Sequence, residues 1–135
     1  MYEKFGQFID GNWCQSSDKS TYEVINPANE EIIGHASKAT TQDIDRALKS
    51  AEKGLEIWKK TPPWQRSNII RKIADKMREK QDILAKWMTL EVGKPFAEAK
   101  GEVNGAADIF EWNAEETKRI YGQTVESRFE DTRVH

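Results

Sequence analysis

Two periodicities divide the chain. Residues 7 to 37 hold short β-rich runs broken by turn residues, and from Thr40 onward apolar residues recur every three or four positions. In "QFIDGNW" the pair Asp10-Gly11 sits between apolar ends, and "YEVINPANEEIIGHAS" places Asn26-Pro27-Ala28-Asn29 between two β-rich runs. Both patterns predict hairpins, so residues 7–37 are expected to form two of them. The helical period then predicts four helices, at about 41–60, 64–80, 82–92 and 95–121.

The first predicted helix aligns Ile44, Ala47, Leu48, Ala51, Leu55 and Trp58 on one stripe, with Thr40 or Thr41 to cap it and Pro62-Pro63 to stop it. The second turns Ile69, Ile70, Ile73, Ala74 and Met77 inward, and the third carries Ile83, Leu84, Trp87, Met88 and Leu90 behind Asp82 as a possible cap. Gly93 suits a left-handed helix end and Pro95 a first helical turn, so Gly-Lys-Pro reads locally as one helix stop followed by a helix start. The fourth helix draws its buried face from Phe96, Ala99, Val103, Ala106, Ala107, Phe110, Ala114 and Ile120, and Gly122 is expected to end it. Gly101 and Gly105 lie four apart on one face, a spacing that admits a closely packed neighbour or a ligand channel, with close packing expected. "GQTVESRFEDTRVH" alternates like a strand and ends with no turn or partner strand in view. The fold class is α/β, in the α+β form within these residues: two hairpins, four helices and a terminal strand.

Apolar residues make up 37% of the 135 and charged residues 33%, with a mean hydropathy of -0.82. That is a lean supply for a self-sufficient core. No apolar run approaches a membrane span, and "MYEKFGQFIDG" lacks the basic start and apolar middle of a signal peptide, so a cytoplasmic protein is expected. The single cysteine, Cys14, and two histidines, His35 and His135, cannot build a zinc cluster. Net charge is -2, but residues 59–80 carry eight Lys or Arg against two Asp or Glu. Such an island can mark nucleic-acid binding; with one apolar stripe and only Trp64 for stacking, it reads instead as a solvated helix face.

Chemistry-bearing motifs are absent. The sequence holds no G-x-G-x-x-G, no G-x-x-x-x-G-K-[ST], no H-E-x-x-H and no C-x-x-C. Cys14 lies in a polar hairpin with no predicted base, and Glu115 and Glu116, adjacent on a helix, point apart as surface charges.

The ordered set "FIDGNW", "VINPANEEIIGHASKAT", a D-I-D-x-A-L helix, "WQRSNIIRKIADKMREK", "LEVGKPFAEAKGEV" and "EWNAEETKRIYGQTV" resembles the N-terminal part of the NAD(P)-dependent aldehyde dehydrogenases, and its wording is closest to the succinate-semialdehyde dehydrogenases. The resemblance implies that residues 1–123 belong to the cofactor-binding domain and 124–135 begin the oligomerisation strand. It implies a monovalent-cation site at Glu91 with backbone oxygens of Val24 and Ile25, and a substrate-tunnel border at Gly101, Gly105 and Asp108. It further implies that the partners are the rest of a longer polypeptide and other copies of it, with neither nucleic acid nor membrane. NAD or NADP serves the whole enzyme. The catalytic cysteine, the glutamate base and the nucleotide motif of the family lie outside these residues, so this chain alone is expected to be inactive and to bind no nucleotide. A free-standing, non-enzymatic helical interaction module derived from the same segment is the alternative.

Overall fold

The computed structural model describes residues 6–134. Strands β1 (Gln7–Ile9) and β2 (Asn12–Cys14) pair antiparallel around Asp10-Gly11, both of which take positive φ as a two-residue hairpin turn requires. Strands β3 (Thr21–Ile25) and β4 (Ile32–Ser37) form the second hairpin, with a register shift between Val24 and Ile25. Four helices follow: α1 (Thr41–Trp58), α2 (Pro63–Glu79), α3 (Gln81–Val92) and α4 (Phe96–Glu116). This is the expected order, with ends moved by one to a few residues.

Several expectations change, among them the inward faces: Ile69 and Ile73 of α2, Ile83 of α3, Phe96 and Phe110 of α4, and Ile120 are exposed rather than buried. The fourth helix ends earlier, passing at Thr117–Arg119 into a 3₁₀ turn rather than reaching Gly122. There the Thr117 hydroxyl donates to the carbonyl of Asn113 at 2.8 Å, and Ile120 leaves the helical region. Asp82 does not cap α3: it lies in the first turn and its carboxylate takes Lys100 Nζ of α4 at 2.7 Å. The terminal segment is no lone strand, because β5 (Val125–Glu126) pairs antiparallel with β6 (Arg133–Val134).

α4 is the central element, packed on both α2 and α3. Its buried stripe is Ala99, Val103, Ala107 and Ala114, and α2 answers with Ser67 and Ala74. Small residues on both faces let the two helices approach closely. The larger apolar side chains gather at the other contact, where Leu84 and Met88 of α3 pack on Ala85, Ala99 and Val103.

α1 behaves differently. Thr40 caps it through a reciprocal capping box with Asp43, yet the apolar stripe of Ile44, Leu48 and Leu55 stays exposed, Leu48 at 62%. Its anchor is polar: Asp43, 1% exposed, accepts from the backbone N–H groups of Thr40 (3.0 Å) and Ser17 (3.1 Å) and from the Thr40 hydroxyl (2.9 Å). Ser16 and Gln7 donate to the same carboxylate oxygen at 3.3 and 3.5 Å, which ties α1 to the first hairpin.

Candidate functional site

Gly-Lys-Pro sits where the second hairpin meets the helices. Gly93 adopts φ 76° and ψ 11°, closing α3 with its N–H on the carbonyl of Thr89 at 3.0 Å. Only glycine fits here for a second reason: a Cβ on residue 93 would stand 2.9 Å from Cγ of Pro27. The Asn26–Glu31 turn that presents Pro27 is held by Asn26, whose side-chain oxygen accepts from the Ala28 N–H at 3.0 Å and whose backbone N–H reaches the Glu31 carbonyl at 2.9 Å. Pro95 is the N-cap of α4 rather than a residue of its first turn. Lys94 pairs with Glu102 in the second turn of α4, linking the loop to that helix.

The contact of Pro27 with Gly93 brings together the two segments that carry Val24, Ile25 and Glu91, each within three residues of it. Glu91 is exposed, Val24 half-buried, and the strand irregularity falls at Val24 and Ile25. Among the described residues no group of three or more His, Cys, Asp or Glu is arranged to hold a metal. A hard cation at this place would depend on backbone carbonyl oxygens beside one carboxylate.

The outer face of α4 is the second place of interest. Gly101 and Gly105 lie opposite the buried stripe, and an added Cβ at either meets nothing within 4 Å. Close packing of these glycines is therefore not observed within the described residues. Their face continues to Ile109 and Trp112, the latter 71% exposed. Asp108, on the flank toward α2, accepts from Arg78 Nη2 at 2.7 Å.

That pair belongs to a ladder that takes up two cations of the basic island, Arg71 and Arg78. Arg78 also reaches Glu111 at 2.8 Å, while Arg71 bonds Glu111 at 2.9 Å and pairs with Glu115. Asp108 and then Glu111 hold the Arg78 guanidinium above its ordinary pKa, and Glu115 is held low chiefly by the Lys118 ammonium at 3.1 Å. Lys118 in turn lies 4.6 Å over the Trp64 ring. Arg71 and Arg78 of the island are thus engaged by α4, and Lys59 and Lys76 each pair with a glutamate three residues away, while Trp64 remains 67% exposed. Glu115 and Glu116, expected as surface charges, lie partly exposed and ion-paired, Glu115 with Arg71 and Lys118 and Glu116 with Arg119 at 2.5 Å.

Cys14 lies half-buried in β2 with Sγ 3.5 Å from the Gln7 carbonyl oxygen and 3.4 Å from Arg46 Nη2. His35 stands opposite Glu23 in the second hairpin, a separate sheet from that of Cys14. Beside Cys14 a cavity of about 380 Å³ opens between the first hairpin and α1, lined by Asn12, Arg46, Lys49, Ser50 and Lys53 among others. Sequence reading missed this convergence because hairpin and helix are separated by some thirty residues; the spacing Arg46, Lys49, Lys53 was its one available signal.

Residues 13–135 match the aldehyde dehydrogenase family. Over 127 residues, 94% of this chain, it is 43% identical to glutarate-semialdehyde dehydrogenase of Pseudomonas aeruginosa, and over 126 residues 40% identical to the succinate-semialdehyde dehydrogenase GabD of Escherichia coli. The chain spans about a quarter, 26%, of the length of each of these relatives. A solved Escherichia coli NADP-dependent enzyme superposes on 97% of the chain with a TM-score of 0.92 at 40% identity, the match covering 28% of that structure. Betaine aldehyde dehydrogenase of Staphylococcus aureus, solved with NAD+, gives a TM-score of 0.92 at 31% identity over 98% of this chain and 27% of its own. Sequence match and fold agree over nearly all of the described residues, and the chain belongs to the aldehyde dehydrogenase family.

Proposed function

We propose that these residues supply the N-terminal part of an NAD(P)-dependent enzyme that oxidises the semialdehyde of a short dicarboxylic acid, succinate or glutarate semialdehyde, to the diacid. The observation that carries this reading is the identity of 38 to 43% to semialdehyde dehydrogenases of both chain lengths across more than nine tenths of this chain. NAD or NADP and the reacting groups belong to residues outside this chain.

Within the whole enzyme, the outer face of α4 borders the substrate tunnel, with Gly101 and Gly105 leaving room for the substrate and Asp108 at its edge. Support comes from the open space over both glycines on a helix otherwise packed by small residues. The backbone oxygens of Val24 and Ile25, with Glu91, form the monovalent-cation position beside the Pro27 and Gly93 contact. Residues 1–123 wrap the cofactor-binding domain and 124–135 begin the oligomerisation strand, here with β5 and β6 already turned on each other.

A chimera tests the reading. This chain replaces the matching first quarter of the Pseudomonas aeruginosa enzyme, and reduced nicotinamide is followed with succinate, glutarate and betaine aldehydes. Activity on the two semialdehydes in preference to betaine aldehyde is expected. Gly101→Leu should raise KM for the semialdehyde about tenfold, the cost of filling an apolar site by more than one methylene. A soluble, correctly assembled chimera without aldehyde-dependent reduction, or a Gly101→Leu variant with unchanged KM, would overturn the corresponding part.

A further inference from the structure

We propose that the cavity between the first hairpin and α1 binds a small anion carrying two or more linked phosphoryl groups. Arg46, Lys49 and Lys53 fall at i, i+3 and i+7, so they share one face of α1, with Ser50 between them. That face is fixed against the hairpin by the buried Asp43 cluster, which makes the cavity a product of two anchored elements. Its volume, about 380 Å³, admits a diphosphate with bound water.

Charge points to an anion. Three cations line the cavity against one carboxylate, Asp10, which already accepts from the Ser50 hydroxyl at 3.3 Å. Lys49 and Lys53 make no ion pair among the described residues, in contrast to Arg71 and Arg78 of α2, which pair with carboxylates of α4. Arg46 is only partly engaged: its Nη1 stands 3.5 Å from Asp43, whose other oxygen is already crowded with donors, and its Nη2 faces the Cys14 sulfur. Asn12 adds an amide on the hairpin side.

Spacing points to more than one phosphoryl group. Arg46 and Lys53 are seven helical residues apart, about 10.5 Å along the axis, a longer reach than one phosphate offers. Linked phosphoryl groups meet the three cations in sequence, and charge-assisted bonds to each are the strong kind. Because the cavity lies on the first hairpin and α1, it is separate from the outer face of α4 and from the Pro27 and Gly93 contact.

Equilibrium dialysis of the 135-residue chain against inorganic pyrophosphate at low salt tests this, and it reads bound anion whether or not chains associate. One saturable site per chain is expected, with orthophosphate at least tenfold weaker. Lys49→Ala/Lys53→Ala should weaken pyrophosphate at least tenfold, while Lys72→Ala/Lys86→Ala, which removes the same charge from α2 and α3, should change it less than twofold. Helical circular dichroism identical in both variants separates lost binding from lost structure. Absence of saturable binding, orthophosphate binding as tightly as pyrophosphate, or equal losses in the two variants would overturn the proposal.

Discussion

Asp43 concentrates what a single residue contributes here. Its carboxylate is buried but charged, because the backbone N–H of Thr40, then that of Ser17, the Thr40 hydroxyl and Gln7 stabilise the ionised form against desolvation, so its pKa lies well below the usual carboxylate range. Asp18, bonded by Ser20 and Ser16, is lowered to about 2. A folded-state pKa below the unfolded value means stabilisation that is complete above the unfolded value, 3.8, and lost as pH falls through the folded one. The junction of the first hairpin with α1 should therefore loosen progressively as pH falls below about 4, with the Asp18 contribution lost through about pH 2 and that of Asp43 last. Amide exchange at Ser17 and Thr40 measures it. Asp43→Asn should exchange fast at neutral pH and show a much smaller acid step; an unchanged step in that variant would assign the acid response to other carboxylates. The local half of this cluster was legible, since Thr40 and Asp43 stand at capping-box spacing. Ser16, Ser17 and Gln7 reach Asp43 across more than twenty residues, and nothing periodic announces that.

Among the elements, the α2 and α4 pair shows how charge and packing divide the work. Small side chains set the approach of the two helices, and the Arg71, Arg78, Asp108, Glu111 and Glu115 ladder fixes their rotation and register. These groups are more than a third exposed, so each pair contributes at most about 1 kcal/mol in low salt and less when screened. Arg78→Ala removes two such pairs and should accelerate amide exchange in the middle of α2 no more than about thirtyfold in low salt, with the difference fading near 1 M salt. A loss several times larger that persists in high salt would mean that Arg78 holds the helices by packing of its stem rather than by charge. The helical periods located all four helices because their apolar stripes are long. They did not reveal which stripe would be covered: Ala99, Val103 and Ala107 were, whereas Ile44, Leu48 and Leu55, equally periodic, remain open. Periodicity reports that a face needs a partner, and only tertiary structure names it. The candidate site divides in the same way, since Gly93 announced a helix end while its contact with Pro27 joins segments more than sixty residues apart.

At the scale of the whole molecule, surface area carries the last prediction. The chain of 15.6 kDa exposes 10567 Å², where a compact monomer of that mass exposes about 7,300 Å². The excess, roughly 3,000 Å², exceeds what one partner presents even in many obligate interfaces. Much of it is apolar: Ile44, Leu48, Leu55 and Ile57 on α1, Trp64 on α2, Ile109 and Trp112 on α4, and Phe129 near the end are all more than half exposed. The buried apolar set, by contrast, is mainly alanine, with Ile9 and Val103 the larger members. Since burying a large aliphatic or aromatic side chain is worth about 1.5–3 kcal/mol and an alanine far less, a core of this kind leaves most of the available hydrophobic stabilisation unused. Association recovers it, and contiguous exposed patches beyond a few hundred Å² favour that outcome. The isolated chain should therefore sediment as a concentration-dependent mixture and lose its helical signal over a broad thermal range. Leu48→Asp with Trp112→Glu should shift that mixture toward monomer without sharpening the melt, because the substitutions remove sticky surface and add no core. A single concentration-independent monomer with a sharp cooperative melt would instead show that these faces are stable in water, and would favour a free-standing interaction module over a segment built to be covered by the rest of an aldehyde dehydrogenase.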